Sequence, residues 1–169
     1  VALYLHNGPE YLEGMLGAWK ARAAPFNVNY RYVAAELRYL LDDASAAAII
    51  FHECFAPTLA PVLDELTVRP SVLLQVADGS GHDLLAGALD YESALAASTA
   101  DLPVDLVEGW SGDDLYVCYT GGTTGMPKGT MWRQADFVVA ALGARQRSGV
   151  EYDTLDQLVA DARGTVRAL

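Results

Sequence analysis

A glycine- and threonine-rich segment with one lysine is the part of this sequence best suited to bind an anion. It reads Tyr119-Thr120-Gly121-Gly122-Thr123-Thr124-Gly125-Met126-Pro127-Lys128-Gly129. Its glycines permit tight turns and positive φ and leave backbone N–H groups accessible, and successive N–H groups that line one concavity bind phosphate oxygens. Hydroxyl groups and a lysine ammonium add further donors and a positive charge. The segment therefore predicts a phosphate-binding loop over residues 119–129.

Side chains and backbone contribute differently to this predicted loop. The residues expected to bind phosphate are Thr120, Thr123, Thr124 and Lys128 through side chains, and Gly121, Gly122 and Gly125 through backbone geometry. The pattern differs from the P-loop of NTPases, because its lysine follows Pro127 and a predicted strand follows in place of a helix. An ordinary hairpin turn is the alternative, but such a turn needs one or two glycines and no Pro-Lys-Gly exit.

Composition restricts the classes of function open to the chain. The 169 residues carry a net charge of −11, which argues against nucleic-acid binding because phosphate backbones require clustered Lys and Arg. No apolar run reaches the roughly 18 residues of a membrane span. Two cysteines make no disulfide framework, so the cytoplasm is the expected location. The chain starts at Val1 inside a strand pattern and stops at Leu169 without a closing strand, so we expect a piece of a longer protein.

Hydrophobic periodicity predicts an α/β fold with a mostly parallel sheet. The predicted strands cover residues 1–6, 24–28, 46–51, 71–76, 115–119 and 129–132, and the predicted helices cover 10–22, 32–42, 57–66, 91–97, 134–147 and 154–163. The inward positions of the first helix are predicted to be Leu12, Met15, Leu16 and Trp19, and Val33 is predicted to face inward on the second. Residues 98–114, rich in Asp, Pro and Gly, are predicted to form a surface connection.

Several shorter patterns favour structural over chemical interpretations. His52-Glu53-Cys54 could supply two metal ligands, but the sequence has no second pair, which favours a surface turn at a strand end. Gly79-Ser80-Gly81 lacks the third glycine of a dinucleotide fingerprint and predicts a loop. Ser111 lies in an incomplete Gly-x-Ser-x-Gly pattern that follows a loop instead of a strand. His6 is interpreted as closing the first strand.

The phosphate-loop segment closely resembles the signature of the adenylate-forming, AMP-binding superfamily, which includes acyl-CoA synthetases, luciferases and peptide-synthetase adenylation domains. Members usually carry Ser or Thr where Gly121 stands, so this sequence has one hydroxyl donor fewer. Further segments resemble the same superfamily: they are Val1–Asn7, Leu16–Ala21, Pro25–Tyr32, Glu36–Leu41 and Asp113–Leu115. The exit Met131-Trp132-Arg133-Gln134 is most similar to fatty-acyl or steroid-acid CoA ligases of high-GC bacteria.

This resemblance implies that residues 1–169 are part of the large N-terminal domain of an adenylate-forming enzyme, with helices on both faces of the sheet and without the C-terminal domain. It implies a parent acid–thiol ligase of fatty acid metabolism. That enzyme would use ATP to activate a carboxylic acid as the acyl-adenylate and would pass the acyl group to CoA as co-substrate. It also allows a homodimer. No catalytic or metal-binding residue is expected in this segment, and Mg²⁺ would be held by residues outside it, since the Tyr-Gly-x-Thr-Glu and Thr-Gly-Asp runs are missing.

Two other functional classes remain open at the level of sequence. The same loop could serve a non-catalytic nucleotide- or phosphate-binding module, because phosphate binding does not require turnover. A serine hydrolase built around Ser111 is a third hypothesis, which would require a reactive serine.

Overall fold

The computed structural model describes residues 1–122, 125–146 and 148–166. The strands are β1 (Ala2–Tyr4), β2 (Phe26–Asn27), β3 (Ala48–His52), β4 (Val72–Val76), β5 (Leu89–Asp90), β6 (Leu115–Gly122) and β7 (Gly125–Arg133). The helices are α1 (Pro9–Lys20), α2 (Ala34–Asp43), α3 (Ala56–Glu65), α4 (Tyr91–Ala96), α5 (Val104–Glu108), α6 (Gln134–Ala140) and α7 (Leu155–Val166), with a 3₁₀ turn over Glu53–Phe55. Over these residues, no helix combines the length and apolar content needed to cross a membrane.

Within the described ranges, seven strands form one sheet in the order β5-β4-β3-β1-β2-β6-β7. Strands β1 to β6 pair in parallel, and β7 alone pairs antiparallel, with β6, at one edge. The predicted α/β class with a mostly parallel sheet is confirmed. Because β1 is central, its carboxyl end and those of β2, β3 and β6 meet at one edge of the sheet.

The central strand distributes its side chains to two apolar layers, as strand geometry requires. Ala2 and Tyr4 belong to the layer covered by α2 and α3, whose buried residues include Leu37 and Leu59. Leu3 belongs to the opposite layer, which contains residues of α1, α4 and α6. Helices therefore cover both faces of the sheet, as the family resemblance implies.

Helix α1 approaches the sheet through a small residue. Gly14 is buried, and a Cβ atom placed there would lie 2.9 Å from Ile50 Cδ1 and 3.0 Å from Leu3 Cδ2. This close approach sets the rotation of the helix, so Leu12 and Leu16 are 56% and 47% exposed. Their predicted inward position is wrong, because the small residues Gly14 and Ala18, together with Met15 and Trp19, form the buried face of the helix.

Three other elements differ from their predicted extent. Val33, predicted to face inward, precedes α2 as its N-cap and is 62% exposed. The predicted surface connection contains the short helix α5. The predicted helix over residues 134–147 ends at Ala140, and Gly143 then adopts a left-handed φ of 69°, which a continuing helix cannot accommodate.

Two glycines of α1 make the close approach testable. Gly17→Ala should raise the free energy of unfolding by about 0.5–1 kcal/mol, because alanine loses less backbone entropy and its Cβ would meet no atom within 4 Å. Gly14→Ala makes the same backbone gain but overpacks the core, at a cost of about 1–3 kcal/mol. We expect Gly14→Ala to be the less stable variant by about that amount in urea unfolding followed by circular dichroism. Equal stabilities would contradict the packing of α1 described here.

Candidate functional site

The predicted phosphate loop is the turn of the β6–β7 hairpin. Since β6 runs parallel to β2, this turn lies at the carboxyl edge of the parallel strands, where open α/β sheets bind ligands. The strands extend further into the loop than predicted, to Gly122 on one side and from Gly125 on the other. Thr123 and Thr124 lie outside the described residues.

Thr120 and Lys128 are brought together across the hairpin. They are directly opposite partners in the antiparallel register, so their side chains lie on the same face of the sheet. Thr120 and Lys128 are both exposed. Pro127, which immediately precedes Lys128 in β7, is buried. Among the ion pairs formed by described residues, none involves Lys128. A hydroxyl donor and an ammonium group are therefore both available to an anion at this face.

The glycines of the hairpin leave its backbone open. A Cβ atom added at Gly121 or Gly125 would meet no other atom of the described residues within 4 Å. Gly121 also lacks the left-handed φ expected from sequence. The packing of the described residues therefore does not require glycine at position 121. Gly122 is paired with Gly125 across an irregular register.

The residue before Thr120 is held by a side-chain amide of β2. Asn27 Nδ2 donates to the carbonyl oxygen of Tyr119 at 3.0 Å, and the Tyr119 N–H donates to Asn27 Oδ1 at 2.8 Å. One amide thus satisfies both backbone polar groups of Tyr119. A buried or half-buried backbone group without a partner is costly, so this pair stabilises the strand at the base of the loop.

The Tyr119 side chain packs in the apolar layer that is covered by α2 and α3. Its ring packs edge-on against Phe26, with 5.7 Å between centroids, and its hydroxyl donates to Asp43 Oδ2 at 2.7 Å. Burial, and then this hydrogen bond, raise the pKa of Tyr119. Gly129, directly opposite, makes room for the ring, because a Cβ there would lie 2.8 Å from Val117 Cγ1 and 3.0 Å from Tyr119 Cζ.

The entry of β6 is held by the end of α1. The Arg22 guanidinium donates to both carboxylate oxygens of Asp114, at 2.8 and 3.3 Å, and lowers the pKa of that carboxyl group. Trp110 Nε1 donates to the carbonyl oxygen of Lys20 at 2.9 Å. Asp114, immediately before β6, and Tyr119, within it, are therefore both held by residues of the first β-α-β unit.

The prediction that His52-Glu53-Cys54 forms a surface turn is wrong, because two of these residues are buried. His52 and Glu53 are 7% and 8% exposed. Glu53 Oε1 accepts from the Gly81 N–H at 2.7 Å and from Ser80 Oγ at 3.1 Å, so the carboxylate fixes the loop that follows β4. Gly81 and its neighbour Gly79 have φ values of 80° and 77°, which confirms the predicted loop.

His6 and His52 lie together at the carboxyl edge of the sheet, where His6 follows β1 and His52 ends β3. The His6 N–H donates to His52 Nδ1 at 3.0 Å, and His6 Nε2 lies 3.8 Å from Cys54 Sγ. Burial lowers the pKa of His52, and burial together with Asp78 raises the pKa of Cys54 to about 12. Within the described part of the chain, no three His, Cys, Asp or Glu side chains are placed to hold a metal ion.

Ser111 occupies a position unsuited to a nucleophile. It precedes β6 at the strand's amino end, and its Oγ accepts from the Asp113 N–H at 3.1 Å. His6 and His52 follow β1 and end β3, at the opposite edge of the sheet, so neither can act as its base. This geometry disfavours a serine hydrolase.

Sequence reasoning missed Asn27 and Asp43 as neighbours of the loop. The one local signal was an asparagine at the end of a strand, where this residue type is rare. Both partners are far from Tyr119 in sequence, by 92 and 76 residues, so no spacing rule connects them.

Comparison with known proteins identifies the family. The sequence profile described as AMP-binding enzyme matches residues 1–160. The chain belongs to the AMP-binding enzyme family. Its sequence is 51% identical over 160 residues to the medium-chain acyl-CoA ligase Mig of Mycobacterium avium, a match that covers 94% of this chain and 28% of that protein. It is 42% identical over 137 residues to the 3-oxocholest-4-en-26-oate–CoA ligase of Rhodococcus rhodochrous, covering 80% and 24%.

Solved structures of this family share the fold. The anthranilate CoA ligase AuaEII, determined with anthranoyl-AMP, matches with a TM-score of 0.70 at 22% identity, over 83% of this chain and 26% of that one. The inhibitor-bound N-terminal domain of FACL13 from Mycobacterium tuberculosis matches with a TM-score of 0.59 at 26% identity, over 79% and 30%. The chain spans about a quarter of the length of the curated relatives above.

Two glycines of the hairpin should differ in their response to alanine. Gly129→Ala is expected to lower the free energy of unfolding by about 1–3 kcal/mol, because its Cβ would collide with the Tyr119 ring. Gly121→Ala, the matched control, should change it by less than about 0.5 kcal/mol, because the added methyl group meets open space. Denaturant unfolding of both variants measures the difference. A stable Gly129→Ala variant would refute the contact between this glycine and Tyr119.

Proposed function

We propose that the protein containing this chain is an ATP-dependent acyl-CoA synthetase that activates a fatty or steroid carboxylic acid. A carboxylate oxygen of the acid attacks the α-phosphorus of ATP, the bond between the α-phosphorus and the bridging oxygen breaks, and pyrophosphate leaves. The CoA thiol then attacks the acyl carbon of the acyl-adenylate, loses its proton and releases AMP. The hairpin of β6 and β7 would bind the β- and γ-phosphates during the first step.

The observation that carries this proposal is the position of Thr120 opposite Lys128 at the carboxyl edge of the sheet. Charge builds on the departing pyrophosphate in that step, and donors already in place stabilise it without reorganisation. Lys128 supplies the positive charge, and the open backbone at Gly121 and Gly125 lets phosphate oxygens approach the N–H groups. Thr123 and Thr124 are proposed as further donors, together with the backbone of Gly122.

The choice of acid rests on the relatives. One is named a medium-chain acyl-CoA ligase and another a 3-oxocholest-4-en-26-oate–CoA ligase, so a fatty or a steroid acid is the substrate class we propose. CoA is the proposed acceptor for the same reason. The Mg²⁺ that accompanies ATP would be held by parts of the protein other than residues 1–169. A cytoplasmic location and a homodimer are further proposals.

Lys128→Ala in the complete enzyme should mainly impair the handling of ATP. We expect kcat/KM for ATP to fall about 10- to 100-fold, because a charged hydrogen bond to phosphate contributes about 1.5–3 kcal/mol. The KM for the acid should stay within about twofold. Lys20→Ala is the matched control, since Lys20 is the other lysine of this sequence and ends α1. A higher KM for the acid with unchanged ATP dependence would refute the role of Lys128.

The 169-residue chain by itself should not form an acyl-adenylate, because it spans about a quarter of its curated relatives. Pyrophosphate–ATP exchange measured with this chain and a panel of fatty and steroid acids should remain at background. Robust exchange that depends on the acid would contradict this expectation. A gene whose reading frame continues into Tyr-Gly-x-Thr-Glu and Thr-Gly-Asp runs would support the ligase, whereas their absence would favour a non-catalytic phosphate-binding module.

A further inference from the structure

We propose that Asn27 is a positioning residue for the ATP-phosphate loop and acts with the Tyr119–Asp43 pair. This inference rests on the proposed function, since it assumes that the hairpin binds phosphate. Among the side-chain hydrogen bonds of the described residues, those of Asn27 are made with Tyr119 and none with Thr120 or Lys128. It acts through the backbone of Tyr119, the residue that immediately precedes Thr120.

The side chain of Asn27 replaces a missing piece of backbone ladder. Strand β2 pairs with β6 through one register pair, Phe26 with Val117, and the Val117 N–H donates to the Pro25 carbonyl at 3.0 Å. After Phe26 the main chain stays with β1, where the Val28 N–H donates to the Leu3 carbonyl at 3.0 Å.

Without the Asn27 side chain, the N–H and carbonyl groups of Tyr119 would have no hydrogen-bonding partner on β2. The Asn27 amide supplies both a donor and an acceptor there, as a peptide group would. The ladder therefore reaches Tyr119, the first residue of the predicted phosphate loop, although β2 itself contains two residues.

The Tyr119–Asp43 bond fixes the same residue from the helical layer. Asp43 is the last residue of α2, where the helix dipole disfavours a negative charge. The Tyr119 hydroxyl donates to its carboxylate at 2.7 Å and offsets this cost. Tyr119 is consequently held through its N–H, its carbonyl and its hydroxyl group, by partners on two different elements.

Successive residues of β6 direct their backbone groups to opposite neighbouring strands, so a restraint on Tyr119 also affects the adjacent residue Thr120. The backbone of Tyr119 faces β2, whereas Thr120 is the residue paired with Lys128 of β7. A displacement of Tyr119 would therefore move both proposed phosphate-binding side chains relative to the parallel sheet. Loss of about one hydrogen-bonding group can displace catalytic donors enough to reduce their effect without unfolding the protein.

The test uses Asn27→Asp, Asn27→Leu and the control Asn29→Asp. The aspartate variant keeps the acceptor for the Tyr119 N–H but places a second carboxylate oxygen against the Tyr119 carbonyl. When that carboxyl group is protonated, its O–H can donate to the carbonyl and reproduce the asparagine. The opposing carbonyl should raise its pKa above the usual value of about 3.9. Asn29 is exposed, and its Oδ1 accepts from the Arg31 N–H, so the same change there leaves the hairpin untouched.

Two measurements separate positioning from general stability. The first is amide hydrogen exchange of Tyr119 in the 169-residue chain, followed by NMR, which does not depend on the proposed enzyme activity. Exchange should be about tenfold faster in Asn27→Leu, which removes the acceptor of the Tyr119 N–H, and unchanged in Asn29→Asp. The second is the KM for ATP of the complete enzyme relative to wild type at each pH. It should rise about tenfold in both Asn27 variants at pH 8, while the KM for the acid stays unchanged.

Lowering the pH distinguishes the two variants. The ratio of ATP KM values should return toward one for Asn27→Asp as the pH falls from 8 to 5, and should stay high for Asn27→Leu. Unchanged exchange at Tyr119 in Asn27→Leu would overturn the proposal, and so would faster exchange without any change in the KM for ATP. A wild-type enzyme that does not use ATP would instead refute the proposed function, while the exchange data would still report whether Asn27 holds Tyr119.

Discussion

The parallel pairing of β2 with β6 is the contact on which the candidate site depends. It consists of one register pair, extended by the amide of Asn27, and it joins the hairpin to the central strands. Because parallel strands end at one edge, this pairing places the hairpin turn beside the ends of β1 and β3. Lys128 and Thr120 are therefore presented at the edge where α/β sheets bind ligands, in a chain whose net charge of −11 would otherwise repel phosphate.

Features that are local in sequence could be predicted well. The alternation of apolar runs with amphipathic segments yielded the α/β class, because a parallel sheet covered by helices imposes that rhythm. The segment proposed to bind phosphate was equally easy to single out, since its glycines, threonines and lysine lie within eleven positions of one another, and phosphate binding there stays a prediction. Thr120 and Lys128 do face each other across the hairpin, as a loop anchored by two strands requires.

Contacts between distant residues could not be predicted. Nothing near Asn27 or Asp43 indicates that they bind Tyr119, because neither lies close to it in sequence. Burial of Glu53 was missed for the same reason: a carboxylate becomes tolerable inside only when donors such as the Gly81 N–H reach it. The orientation of α1 depends on Gly14, whose lack of a side chain contributes nothing to a hydrophobic pattern yet decides how closely the helix packs.

Arg22 binds Asp114 just before β6 and Asn27 binds Tyr119 within it, and each bond spans 92 residues. Closing a loop of that length costs about 4 kcal/mol of chain entropy, and contacts so distant in sequence form slowly. On the ribosome, at roughly 5–20 residues per second, β2 would precede its partner strand by on the order of 5–20 s. During that interval β2 is the open edge of a growing sheet, at which a second nascent chain can pair in place of β6.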